Sequence, residues 1–230
     1  MFQVFCDFDG TISLADTVDE LLERLALPAW QDIEARWEEG EIGSRECMAQ
    51  QVKLIQGGWP AIESCLHHIK LDSTFKPFSQ WCKQVGISLT VVSDGIDRVI
   101  ETLLKREGIH VDGILANHLV ENHDNTLSLE FPHAATKTPC LSGMCKCQVL
   151  ENHGGKLIKV VIGDGVSDYC WSENADMVFA KGKLKTHCEE KQIPYTPFSR
   201  FETIQAVLEA SMILKSGQPR VNPEERTYAA

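Results

Sequence analysis

The stretch Phe2–Thr11, FQVFCDFDGT, opens the chain with a short apolar run that ends on two aspartates, a glycine and a threonine. An apolar run of this length, bounded by turn residues, reads as a strand buried on both faces, as in a parallel sheet. Two later runs share its character, Ile87–Val92 (ISLTVV) and Lys159–Ile162 (KVVI), and a fourth, Met177–Ala180, is shorter. Segments of helical period lie between them. Phe75, Phe78, Cys82 and Val85 share one face before Gly86. Ile96, Val99, Ile100, Leu103 and Leu104 repeat the pattern before Gly108, and Phe201, Ile204 and Leu208 mark a last helix. Strands alternating with helices predict an α/β fold, a doubly wound, Rossmann-like parallel sheet.

One stretch breaks the alternation. Leu14, Val18, Leu21, Leu22 and Leu25 form a helical stripe that stops at Pro28, and Trp30, Ile33 and Trp37 form a second before Gly40. Ser44 stands where an N-cap would open a third helix, carrying Met48, Val52 and Ile55. Pro60 suits the first turn of a fourth, with Ile62, Leu66 and Ile69 inward. The expected organisation is a discontinuous core, residues 1–13 and 73–215, with a small helical insert over 14–72 after the first strand. Leu115–Phe131 alternates around Asp124-Asn125 and reads as a hairpin, and the polar segment 216–230 reads as a flexible tail.

The 230 residues carry a formal net charge of -11, which repels polyphosphate backbones and argues against a nucleic-acid partner. No apolar run approaches the ~20 residues of a membrane span, and the opening residues lack the pattern of a signal peptide. Nine scattered cysteines, an odd number, suit free thiols in a reducing cytoplasm. Either a monomer or a homodimer is compatible with these numbers.

Ligands of such sheets bind beyond the carboxyl ends of the strands, so the residues that follow each strand matter most. They are Asp7-Phe8-Asp9-Gly10-Thr11, Ser93-Asp94-Gly95 and Gly163-Asp164-Gly165-Val166-Ser167-Asp168, with Lys146 on the segment before the third strand. Acids, a hydroxyl and a lysine at one edge suit phosphoryl transfer from a small monoester, which depends on positioning and charge neutralisation. Asp7 is the expected nucleophile, forming an aspartyl phosphate. A carboxylate facing a dianion needs a hard cation between them, so Mg²⁺ is expected on Asp7 and Asp164, with Asp168 as ligand or anchor and Asp9 beside them. Two residues beyond Asp7 in an extended chain, Asp9 returns to the same face, where it would protonate the leaving oxygen and later activate water. Ser93, the Gly95 amide and Lys146 would hold the phosphoryl oxygens. For any single acid the competing reading is a helix cap, and Asp16 is read as one.

DFDGT, VVSDG, CKCQVL and GDGVSD, in that order, resemble the four motifs of the haloacid dehalogenase superfamily phosphatases. The resemblance implies a magnesium-dependent phosphomonoesterase in which the helical insert is a small cap of the type placed between the first two motifs. Among its branches, the chain is similar to the methionine-salvage phosphatases that act on hydroxy-keto-methylthiopentenyl phosphate. Asn117-His118, Phe131-Pro132-His133, the cysteine-rich stretch before Lys146 and Phe179-Ala180 carry this likeness; Cys147 stands where proline is expected. Resemblance to phosphoserine phosphatases implies a substrate-facing acid at Glu20, but Ala49 stands where their carboxylate-reading arginine is expected, and Arg24, Arg36 and Arg45 are the only arginines of the insert. Phosphocholine and phosphoethanolamine phosphatases are more distant relatives. A phosphomutase, a dehalogenase and a non-catalytic phospho-sensor are the alternatives of other classes. Cys140, Cys145, Cys147 and His133 raise the question of zinc, although their spacing is not the usual paired one.

Overall fold

The computed structural model describes residues 1–136, 140–153 and 155–216. The strand β1 (Phe2–Cys6) leads into four short helices, α1 (Thr17–Leu25), α2 (Trp30–Glu38), α3 (Ser44–Gln51) and α4 (Gly58–Leu66). The chain returns through α5 (Phe75–Val85) to β2 (Ser88–Ile96), α6 (Asp97–Glu107), β3 (Gly113–Glu121) and β4 (Leu127–Glu130). Next come α7 (Lys146–Asn152), β5 (Ile158–Gly163), α8 (Tyr169–Ser172) and β6 (Met177–Ala180). The last elements are α9 (Gly182–Lys191), β7 (Thr196–Pro197) and α10 (Phe201–Ser216).

The strands form one sheet in the order β4-β3-β2-β1-β5-β6-β7. Every pairing is parallel except β3 with β4, and β1 sits at the centre between β2 and β5. Strand alternation explains why the central run is apolar apart from Gln3, which is only half-buried. Val4 and Cys6 point to one face, into the large core built with α5, α6, α10 and the inserted helices. Phe5 points to the other, against Val92, Val161, Val149 and Trp171. A strand covered on both faces leaves little room for polar side chains.

The hairpin turns at Asp124-Asn125, where Asn125 takes a left-handed φ of 60°, a conformation asparagine tolerates better than most side chains. Helices α5 and α6 end at Gly86 and Gly108. The four inserted helices fall near the stripes, but Leu14 lies exposed before α1, and Ile55 and Ile69 lie past the ends of α3 and α4. Ser44 is the first residue of α3 rather than its cap; Gly43 caps the helix without a side-chain bond, and the Ser44 hydroxyl turns instead to Asp94. Strand β2 also runs further than its apolar run, through Ser93-Asp94-Gly95 to Ile96, with a register irregularity against β3 after Val92. The segment beyond Ser216, read as a flexible tail, lies outside the described residues.

The insert joins the core through a two-chain hinge. Ser13 and Leu71 form an antiparallel bridge, flanked by bonds from Leu14 N to Lys70 O (2.9 Å) and from Asp72 N to Ile12 O (2.8 Å). Among the described residues no helix is long and apolar enough to cross a membrane.

Candidate active site

At the carboxyl end of β1 the Asp7 amide still donates to Ile162 O of β5 (2.9 Å), so the first residue past the strand is held in the sheet. Its carboxylate is buried, 4% exposed. The chain then turns sharply, with the amides of Thr11, Ile12 and Ser13 all directed at Phe8 O. Gly10 makes this turn possible: its φ is +70°, and a Cβ there would stand 2.5 Å from Asp164 Oδ2. The Thr11 hydroxyl reaches across to donate to Asp164 Oδ1 (2.8 Å).

Lys146, at the start of α7, is the only lysine among the fully buried side chains described. Its Nζ donates to Asp7 Oδ1 (2.6 Å), Asp168 Oδ1 (2.7 Å) and Ser167 Oγ (3.1 Å), above the Trp171 ring. Burial alone would lower the ammonium pKa, but Asp168 and Asp7 outweigh it, and the pKa goes up. All three ammonium protons are therefore engaged, and the phosphoryl-holding role expected of Lys146 would need one of them released. The other Asp168 oxygen accepts the amides of Asp164 and Gly165, each at 3.0 Å, which fixes the GDGVSD loop.

Carboxylate oxygens of Asp7, Asp164 and Asp168 lie within 4.8 Å of one another, the one such acidic, cysteine or histidine group of three or more among the described residues. Three carboxylates against one ammonium leave two negative charges unbalanced. Burial first, and Asp168 after it, pushes the Asp7 carboxyl up, and burial does the same at Asp164. Hard oxygen donors with an uncompensated double charge fit a hard divalent cation. Since both Asp168 oxygens are occupied, Asp7 and Asp164 are the pair free to bind one. The cysteine-rich stretch is not among such groups in the described residues: Cys145 and Cys147 sulfurs lie 3.4 Å apart, and Cys170 is hydrogen-bonded to Cys147.

Asp9 departs from the expectation that it joins the metal ligands. Its carboxylate turns away from the triad, accepting Thr17 N at the start of α1 (2.8 Å) and Ser93 Oγ (3.1 Å). Burial first, then the Asp16 charge, pushes its pKa up to about 7, against the hydrogen bonds from Thr17 and Ser93. Ser93 is fully buried, and its Oγ accepts the Gly95 amide (2.9 Å), so the amide expected at the phosphate is turned to the serine. A Cβ on Gly95 would meet Asp9 Oδ2 at 2.7 Å, which requires glycine there.

These groups line a cavity of about 560 Å³ roofed by the inserted helices. Glu20, expected to face it, does not. One residue past Asp19 on α1 is a turn of about 100°, and while Asp16 and Asp19 line the cavity, Glu20 pairs with Arg24 at 2.9 Å. Asp16 also caps α1, accepting the amides of Val18 and Asp19. Trp59 lies in α4, 7% exposed under the Arg98 guanidinium. A larger cleft of about 780 Å³ behind the hinge contains none of the strand-end acids. Sequence reasoning missed Ser44, Ser167 and Lys181, whose Nζ donates to Thr11 O at 3.3 Å; each acts across more than a hundred residues or between separate elements, where no local pattern records it.

An acidic, lysine-bridged centre at the carboxyl edge of a parallel α/β sheet suits phosphoryl transfer through an aspartate. The chain belongs to the haloacid dehalogenase-like hydrolase family, whose family model matches residues 4–173. It is 31% identical over 225 residues to 2-hydroxy-3-keto-5-methylthiopentenyl-1-phosphate phosphatase of Bacillus cereus (strain B4264), covering 93% of this chain and 99% of that protein. The protein of the same name from Bacillus mycoides (strain KBAB4) is also 31% identical, over 217 residues, covering 93% and 98%. In fold the chain is similar to a substrate-bound phosphoserine phosphatase complex, with a TM-score of 0.64 at 19% identity over 95% of this chain and 99% of that one. A phospho-aspartyl intermediate analogue of phosphoserine phosphatase matches with the same TM-score at 21% identity, over 95% and 100%.

Proposed function

We propose that the protein is a magnesium-dependent phosphomonoesterase acting in the cytoplasm on a small metabolite, 2-hydroxy-3-keto-5-methylthiopentenyl-1-phosphate. The observation that carries the chemistry is the buried Asp7 carboxylate, held by Lys146 beside Asp164 at the mouth of the cavity. Asp7 and Asp164 would hold Mg²⁺, which when bound neutralises the repulsion between carboxylate and phosphate dianion. Asp7 attacks phosphorus, the bond from phosphorus to the leaving oxygen breaks, and the phosphoryl group rests on Asp7. Asp9 gives its proton to the leaving oxygen, then takes one from the water that cleaves the aspartyl phosphate. Ser93, whose hydroxyl now donates to Asp9 at 3.1 Å, would donate to a phosphoryl oxygen on releasing that bond. The insert over 14–72 acts as the cap over this centre.

The substrate choice rests on the cavity wall as well as the relatives. None of Arg24, Arg36 and Arg45 lines the cavity; Arg24 and Arg36 pair with Glu20 and Glu41 at the surface. Phosphoserine would leave its carboxylate without a guanidinium. Val18, Trp37 and Met48 line the cavity instead, an apolar surface suited to an uncharged thioether tail. A phosphate-release screen over small phosphorylated metabolites, with Mg²⁺ and with EDTA, is expected to show magnesium-dependent release and to rank the methylthiopentenyl ester above phosphoserine. Release unaffected by EDTA would reject the metal, and phosphoserine ranking first would reject the substrate.

Asp9→Asn is expected to lower kcat by ~10²–10⁴-fold, since acid and base roles are lost together. With its pKa raised to about 7, Asp9 loses its proton as pH rises through neutrality, so wild-type kcat/KM should decline above that point. The Asp9→Asn variant should lack this limb. A pH profile with the same decline in both proteins would place the titrating group elsewhere.

A further inference from the structure

One partly buried carboxylate, Asp94, lies between the inserted helices and the core. Asp94 lies between Ser93 and Gly95, yet its side chain meets neither. One oxygen accepts the Ser44 hydroxyl from the first residue of α3 (2.8 Å). The other accepts the Met144 amide (2.9 Å), two residues before Lys146, and Asn117 Nδ2 of β3 (3.2 Å). Asn117, 1% exposed, also donates to the Asp94 carbonyl, so the backbone of the Ser93 turn and the Asp94 side chain share one anchor. One acid thus ties together an inserted helix, the turn that presents Ser93, and the segment that delivers Lys146.

Its place relative to the hinge matters. The insert is joined covalently to the core only at the Ser13–Leu71 ribbon, and α4 is held nearby by Arg106, which donates to Leu66 O and Ile69 O. The start of α3 meets the core at a separate place. There Arg45 N donates to Leu141 O (3.2 Å), and Gly43 packs so closely on Leu141 that no side chain would fit. Ser44–Asp94 is the shorter of two side-chain bonds at this seam, beside the contact from Asn117 Nδ2 to Met48 Sδ at 3.8 Å. If α3 moves away from the cavity to admit substrate, this bond must break, and one carboxylate oxygen beside the Met144 amide loses its partner.

We infer that Asp94 is a positioning residue, and that its bond to Ser44 is a latch that couples docking of α3 to the placement of Ser93 and Lys146. The inference rests on the roles proposed above for Ser93 and Lys146. Closure of the insert then does more than exclude water. It fixes the Asp94 carboxylate, which holds the Met144 amide and the Asn117 anchor in the geometry that places Ser93 and, through the segment before it, the Lys146 that holds Asp7. Closure and assembly of the site become one event, as in enzymes whose lid completes the constellation.

The test removes the hydroxyl and restores it. Ser44→Ala should lower kcat by about tenfold, the scale of a lost hydrogen bond to a charged acceptor, with KM and melting temperature near wild type. Ser44→Thr, which keeps the hydroxyl, should recover most of the rate. In the ligand-free protein, Ser44→Ala should also speed amide hydrogen exchange at 141–146 and 93–96, since those amides report the coupling without turnover. Wild-type kcat in Ser44→Ala, or unchanged exchange in both segments, overturns the latch. Equal loss in Ser44→Ala and Ser44→Thr with a lowered melting temperature makes the contact merely structural and overturns it too. If wild type itself releases no phosphate from any ester, the phosphatase reading fails, and the exchange measurement still decides the coupling.

Discussion

Asp7→Asn is expected to abolish phosphate release, by ~10⁴-fold or more, while the fold survives. The amide matches the carboxylate in shape and can still accept the Lys146 ammonium at the position now bonded at 2.6 Å. It cannot act as the nucleophile, and it contributes one fewer charge to the acidic group that would bind the cation. Stability should change little, because two effects oppose each other. The variant gives up a buried ion pair with Lys146, but it also removes a buried charge whose carboxyl is pushed up by burial and by Asp168. Acid-quenched intact mass should show a phosphoryl adduct on the wild-type chain during turnover and none on the variant. Near-normal release by Asp7→Asn would reject Asp7 as nucleophile.

The groups that this prediction uses were legible in the sequence for a physical reason. A strand covered on both faces cannot hide its ends: the apolar run from Phe2 stops where the chain meets the crevice, and Asp7 is the first polar residue there. The same logic exposed Asp164 after β5 and Ser93 on β2. The inserted helices were readable because their apolar residues repeat at helical spacing, buried in α1 as Val18, Leu21 and Leu22, although α2 buries none of its residues fully. Helix α9 was not readable, since GKLKTHCEEK buries only Leu184, His187 and Cys188 and is placed by its neighbours. Strand β7 is two residues long, one of them a proline at the sheet edge, too short for any alternation.

Side-chain direction was the least legible property. Asp9 was read as sharing a face with Asp7, as an extended chain would have it. Strand β1 ends at Cys6, however, and the turn over Phe8 sends Asp9 toward Thr17. Glu20 was placed by analogy, and one step of helical rotation sufficed to move it out of the cavity. Ser44 was read from its local position as a cap, whereas its hydroxyl is taken by an acid fifty residues away. Local chemistry says which residues can act; the tertiary contacts decide where they aim.

Lys146→Met should be the most destabilising single change at this centre. Methionine fills much the same volume, so the loss is electrostatic rather than a cavity. Asp7 and Asp168, bridged now at 2.6 and 2.7 Å, would face each other across a buried site without a cation. Removing one partner of a buried ion pair costs ~3–5 kcal/mol, which for a chain of this size is a melting temperature lower by roughly 10 °C. Ser167→Ala, which removes only the third contact of the ammonium, should be far milder and serves as the control. The pH dependence separates charge from packing. Without the ammonium, the Asp7 carboxyl rises further above the unfolded value near 3.8, so the folded state binds protons that the unfolded chain does not. Its stability is then retained at low pH and lost as pH rises through the raised pKa. The deficit of Lys146→Met against wild type, followed by thermal scans in EDTA, should therefore shrink as pH falls from about 8 to about 5. A deficit that stays constant across that range would mean that Lys146 holds the site by packing, and that the acids on either side of it do not depend on its charge.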